Sequence, residues 1–182
     1  MKAKHYKTLK DEYINHITEY VKQAGGLFPH ISIFAEPKDK KDDKPALIHI
    51  PIPDEYIENE ESKDEFVDEI LPKIAKEVNQ MFNVYGIAWS SEAWMRTANK
   101  DSDIQDYKSL PKKEVIFINI ESIDKSECVM YNIKRFGKQV NSDGDLIDNI
   151  ELTKSRMSGG VQNVGGRFSG LLKYFKKGGT ND

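Results

Sequence analysis

Residues 84–97 read VYGIAWSSEAWMRT, and this run holds both tryptophans of the chain, Trp89 and Trp94, with Glu92 between them. Side chains alternate along a strand, so the run predicts two unlike faces. Tyr85, Ile87, Trp89, Ala93 and Met95 form an apolar face suited to a core. Ala88, Ser90, Glu92, Trp94 and Arg96 form the other, which sets an indole beside an acid, a hydroxyl and a guanidinium. A sheet surface under a loop, a partner or a ligand has that mixture. Glu92, Trp94 and Arg96 are therefore candidate binding residues. A bulge at Ser90-Ser91 would place both indoles on one side. The competing structural reading covers Trp94 with the polar loop from Lys100 to Lys113 and pairs Glu92 with a nearby lysine or arginine.

Working outward, three further strand patterns follow, at about 114–121, 127–136 and 146–153, with Asp143-Gly144 as a turn signal before the last. Short links favour an antiparallel meander. Upstream, the apolar positions Leu9, Tyr13, Ile17 and Val21 predict a helix over 6–24, stopped by Gly25-Gly26. Two short β-type runs, HISIFAE (30–36) and PALIHIPIP (45–53), predict a hairpin. Its pairing puts Ile31, Ile33 and Ala35 on one face, and His30, Ser32 and His49 on the other. Ser62 and Glu65 fit a capping box that opens a second helix, where Pro72 demands a kink or a restart. The order predicts an α+β fold: an antiparallel sheet, built from an N-terminal hairpin and a four-strand meander, packed by two amphipathic helices. Residues 1–155 read as one domain. Residues 156–182 read as a Gly-rich hinge and a short amphipathic segment.

The 182 residues suffice for one core, and 38% hydrophobic against 31% charged residues supports folding. A formal net charge of -3 supplies no general attraction for phosphate backbones. Cys128 is the only cysteine, which excludes an internal disulfide. Neither a secretory leader nor an apolar run of roughly 20 residues is present, so the expectation is a cytoplasmic protein without a membrane span.

The run GIAWSSEAWMR (86–96) followed by PKKEVIFINIES (111–122) resembles small uncharacterised proteins of tailed phages and their bacterial hosts. In those, a strand ending in Glu-Ala-Trp precedes a proline-containing loop and a strand opened by glutamate. The resemblance spans about a third of the chain. It implies a phage or mobile-element origin and no activity.

Chemistry is sparse. His30, Ser32 and His49 suggest an acid/base pair acting on a phosphoester, and His-Ile-Ser resembles half of a two-histidine phosphoesterase signature. The second His-x-Ser/Thr element is missing, since Ile50 and Pro51 follow His49. The structural reading is a pair of hydrogen-bonded histidines on a hairpin. No ligand spacing points to a metal, and no cofactor is implied. GVQNVGGR (160–167) has the glycine spacing of a phosphate loop but lacks its Lys-Ser/Thr pair. The tail carries Lys154, Arg156, Arg167, Lys173, Lys176 and Lys177 among Phe168, Tyr174 and Phe175, a pattern that can grip single-stranded nucleic acid. Phe168, Leu171, Leu172 and Phe175 also form an apolar stripe suited to another protein, and that reading is preferred. The sequence thus points first to a non-enzymatic protein-binding or structural accessory protein. A small hydrolase and a nucleic-acid-binding module are its rivals.

Overall fold

The structure, a computed structural model, describes residues 3–39, 44–96, 108–123, 126–155 and 170–175. It is an α+β fold in which six antiparallel strands form one sheet. Helix α1 (Ala3–Ala24) is followed by β1 (His30–Pro37) and β2 (Ala46–Pro51). Helices α2 (Glu60–Glu65) and α3 (Leu71–Met81) flank a π-helical turn, Phe66–Ile70. Strands β3 (Phe82–Arg96), β4 (Lys112–Ser122), β5 (Ser126–Val140) and β6 (Leu146–Lys154) follow, and α4 is a single turn, Leu172–Phe175. The spatial order is β2-β1-β3-β4-β5-β6.

Period-two patterning gives the sheet two dry faces. Ile31, Ile33, Ala35 and Ile87 pack under α3, the π turn and α4. Phe34, Ala88, Ile116, Ile118, Ile120 and Ile150 pack under α1, which answers with Leu9, Tyr13, Ile17 and Val21, one residue per helical turn. Gly25 ends α1 in the left-handed conformation (φ 74°), with its N–H on the Val21 carbonyl at 2.9 Å. A Cβ at Gly25 would stand 2.8 Å from the Ile147 Cβ, so the helix end also seats closely on β6.

Several local expectations are corrected. Asn59, not Ser62, caps α2: its extended backbone lets the side-chain oxygen take the Ser62 N–H at 2.9 Å, and Ser62 reciprocates as the third helical residue. At Pro72, where a kink or a restart is expected, α3 starts afresh at Leu71 after the π turn: proline lacks an N–H and its ring would crowd the carbonyl four residues back, and the π turn loosens the ladder where an α-helix would clash. The bulge in β3 lies not at Ser90-Ser91 but opposite Phe34/Ala35, which pair with Gly86 and Val84 and leave Tyr85 out of register. Val84 therefore takes the core position expected for Tyr85, whose hydroxyl donates to Glu36 Oε2 at 3.1 Å. Strand β5 continues past Phe136, because a bulge at Phe136-Gly137 (φ 62° at Gly137) absorbs the glycine without ending the ladder. The turn that follows is closed by Asn141, whose side-chain oxygen accepts the N–H groups of Asp143 and Asp145.

Candidate functional site

On the α1 side of the sheet, near the β2 edge, four rings converge from three elements. The register sets His49 of β2 beside Ser32 of β1, and His30 of β1 beside Ser90 of β3. Tyr13 and His16, one helical turn apart on α1, lie over them. The His30 and His49 ring centroids are 5.6 Å apart, those of His16 and His49 4.8 Å, and those of Tyr13 and His30 6.0 Å. His16, Tyr20, Phe28, His30, His49 and Pro51 line a pocket of about 170 Å³. The two histidines singled out in the sequence are thus neighbours. His16 was missed there, although Tyr13, His16 and Tyr20 share one flank of the helix at i, i+3, i+7 spacing.

Hydrogen bonding settles what each ring can do. His30 Nδ1 lies 2.9 Å from the Phe28 carbonyl, which can only accept, so Nδ1 carries the proton and Nε2 of the neutral ring is a bare acceptor. That Nε2 is buried without a hydrogen-bond partner among the described residues, and the buried Tyr13 hydroxyl has only the Ser90 and Ser32 hydroxyls beside it. His49 Nδ1 is 2.8 Å from Ser32 Oγ, and Ser32 is fully buried, so its hydroxyl orients the ring and is not an accessible nucleophile. Burial holds His30 below the usual imidazole range, partly offset by the Phe28 carbonyl and reinforced by His16. Burial, then His16 and His30, act likewise on His49. Burial pushes the Tyr13 phenol well above its usual range, with the nearby Ser90 and Ser32 hydroxyls pulling the other way, so it stays a donor. The arrangement can hold a polar guest. It does not present His30 and His49 together as an acid/base pair, because the free nitrogen of His30 is buried.

The mixed face of β3 divides into two parts. The β3–β4 register runs unshifted from Gly86 to Arg96, so Trp89 packs on the α3 side while Trp94 lies on the α1 side. Glu92 is structural in its contacts. Its Oε1 accepts the Leu27 N–H at 2.7 Å, and its Oε2 accepts from Arg135 at 3.0 Å. Arg135 of β5 also grips Glu114 of β4 through both carboxylate oxygens (2.7–3.1 Å) and donates to the Gly25 carbonyl at 2.6 Å. Asp148 of β6 completes the ring of acceptors, 3.5 Å from Arg135 and 2.6 Å from Lys138, and these cations hold its carboxyl below the usual range. Burial raises Glu92 above it. Arg96 donates to the carbonyls of Lys108 and Leu110, which fixes the chain after the long loop. Trp94 alone of the three remains available, 65% exposed.

The tail residues are placed differently from expectation. Leu171, Leu172 and Phe175 are buried in this chain's own core beside α3 and β3, so their apolar stripe is not offered to another molecule. Glu121 fixes that turn by accepting the Gly170 N–H at 2.6 Å. Phe175 is buried, which removes one of the three rings proposed to stack on bases, and Tyr174, half-buried, donates its hydroxyl to Asp68. Arg167 and Phe168, like most of the Gly-rich segment, lie outside the described residues. Cys128 is half-buried and its thiol is pushed up by burial, which disfavours the thiolate. Among the described residues no group of three or more histidine, cysteine or acidic side chains is arranged to hold a metal ion, and no helix is long and apolar enough to cross a membrane.

Comparison with protein-family models, with curated proteins and with solved structures gave no match.

Proposed function

We propose that the chain is a non-enzymatic protein-binding or accessory protein that engages its partner around Trp94. The observation that carries this reading is the 65% exposure of an indole on an internal strand whose neighbourhood is stiffened by the Arg135 network. Tryptophan is the residue type most often dominant at protein contacts, since a rigid ring loses little entropy when covered. The inward-turned His30 weighs in the same direction, because a hydrolase using His30 and His49 needs both free nitrogens at a substrate. In this reading the six-stranded sheet forms a platform. The phage-like resemblance would make the partner a viral or host protein.

The test is affinity capture from the native host with wild-type protein, Trp94→Ala and Trp94→Phe. We expect Ala to lose the specific partner and Phe to retain part of it, with folding stability unchanged within about 0.5 kcal/mol, as for surface substitutions generally. Identical capture by wild type and Trp94→Ala would remove the reading.

A further inference from the structure

The histidine pocket lies apart from Trp94 and supports an inference of its own. His49 from β2 has two other imidazoles beside it, His16 from α1 with ring centroids 4.8 Å away and His30 from β1 with ring centroids 5.6 Å away. The groups acting electrostatically on His30 and His49 are other imidazoles; no carboxylate is among them. The remaining polar groups facing the cluster are the Tyr13, Ser32 and Ser90 hydroxyls, and the other lining residues are Tyr20, Phe28 and Pro51. On the adjoining turns of α1, Glu12 and Glu19 are exposed, and Glu19 pairs with Lys22. The cluster can therefore acquire positive charge but has no counter-charge of its own. Ordinary structural histidines acquire a carboxylate or a carbonyl on each ring. Here only His30 has a carbonyl, and His49 has only the Ser32 hydroxyl.

We propose that this pocket binds a small oxyanion, such as a phosphate or carboxylate group, at the nitrogen-bearing edges of His16 and His49, with proton uptake. The fixed bond from His49 Nδ1 to Ser32 leaves Nε2 as its contacting atom. Both His16 and His49 are exposed enough to meet a solute, whereas His30, more deeply set, supplies charge from behind. A volume of about 170 Å³ is below that of pockets for drug-sized molecules, which suits a single ionic group. In the empty pocket, burial and mutual repulsion keep His30 and His49 neutral near pH 7. An entering anion reverses the balance by giving the protonated rings a partner. Binding and protonation are then linked, and each proton taken up makes the affinity rise tenfold per pH unit of acidification.

The experiment is calorimetric titration of the full chain with inorganic phosphate and with acetate at pH 7.5 and 6.0, chloride being the control anion. Heteronuclear spectra of the imidazoles provide an independent readout. We expect phosphate or acetate, but not chloride, to bind at least tenfold more tightly at pH 6.0 and to shift the His16 and His49 resonances. The relative strengths of the two arms tell which oxyanion the pocket favours. His16→Ala, an exposed helical site that tolerates alanine, should weaken binding at pH 6.0 by tenfold or more and flatten the pH dependence. His49→Gln should do the same, with circular dichroism confirming the fold. Absence of binding by both anions, affinity independent of pH, or affinity unchanged in the His16→Ala/His49→Gln double variant would each overturn the proposal. Zinc binding without oxyanion binding would overturn it too.

Discussion

Two polar clusters lie on the same face of the sheet under the same helix, and they are built on opposite rules. At the C-terminal end of α1, Arg135 satisfies Glu92, Glu114 and Asp148 from three strands and the Gly25 carbonyl from the helix end. Nearer the middle of α1, His30 Nε2 is buried with no hydrogen-bond partner among the described residues, and the buried Tyr13 hydroxyl has only the Ser90 and Ser32 hydroxyls beside it. A buried polar group without a hydrogen bond costs about 1–3 kcal/mol, so native proteins leave few of them. A closed network ties elements together and leaves nothing for a guest. An open one forgoes stability at a place where something else can supply the missing contacts.

The sharpest way to break this comparison is to open the closed cluster. Arg135→Met leaves Glu92 and Glu114 facing each other without their shared cation, which is worse than the absence of all three charges. Removing one partner of a buried pair typically costs about 3–5 kcal/mol; the 26% exposure of the Arg135 side chain reduces the expectation to about 2–3 kcal/mol. Urea denaturation measures it. A loss below about 1 kcal/mol would mean that the network is a surface decoration, as most exposed ion pairs are. The contrast between the clusters would then collapse.

The matching change in the open cluster has the opposite sign. Tyr13→Phe keeps the ring that packs edge-on against Phe34 and removes only a buried hydroxyl whose neighbours, the Ser90 and Ser32 hydroxyls, make no well-formed hydrogen bond to it. Stability should stay level or rise by up to about 1 kcal/mol, because the desolvation penalty goes with the oxygen. A fall of about 1 kcal/mol in the same urea assay would show that the hydroxyl is satisfied in solution, for example by a trapped water. The cluster would then be closed after all.

The two clusters were not equally legible in the sequence. Alternation along β3 separates Trp89 from Trp94 without any coordinates, and Glu92 could be given an arginine or lysine partner on general grounds. It could not be given Arg135, which is 43 positions away and reaches it across β4. Pairing between strands that are not neighbours depends on register, and the bulges at Phe34/Ala35 and after Arg135 are set by tertiary packing. His30 and His49 were visible because a hairpin is local. His16 was not, because the rotation of α1 over the sheet is fixed by how Leu9, Tyr13, Ile17 and Val21 seat on distant strands. The tail was misread for a related reason. An amphipathic stripe announces that it will be covered, and not by what; the covering surface is this chain's own β3 and α3.

The subtlest test separates the clusters by proton linkage. In the unfolded chain histidines titrate near 6.5, whereas in the folded protein burial holds His30 and His49 lower. As pH falls through the unfolded value, the unfolded chain takes up protons that the folded one refuses, so stability must fall on acidification. Glu92 acts in the opposite sense further down: its carboxyl is raised above the ordinary 4.5, so the folded state takes its proton first and gains on acidification there. The histidine effect should therefore be read above about pH 5.5, where carboxylates are mostly ionised. Melting temperatures measured from pH 7.5 to 5.5 should decline, and a His30→Gln/His49→Gln variant should decline less. An equal slope in the variant would place the lost protons elsewhere. Phosphate bound at His16 and His49 as proposed should also recover part of the decline at pH 6 in the wild type and none in the variant, since an anion that stabilises protonated rings stabilises the folded state that presents them together.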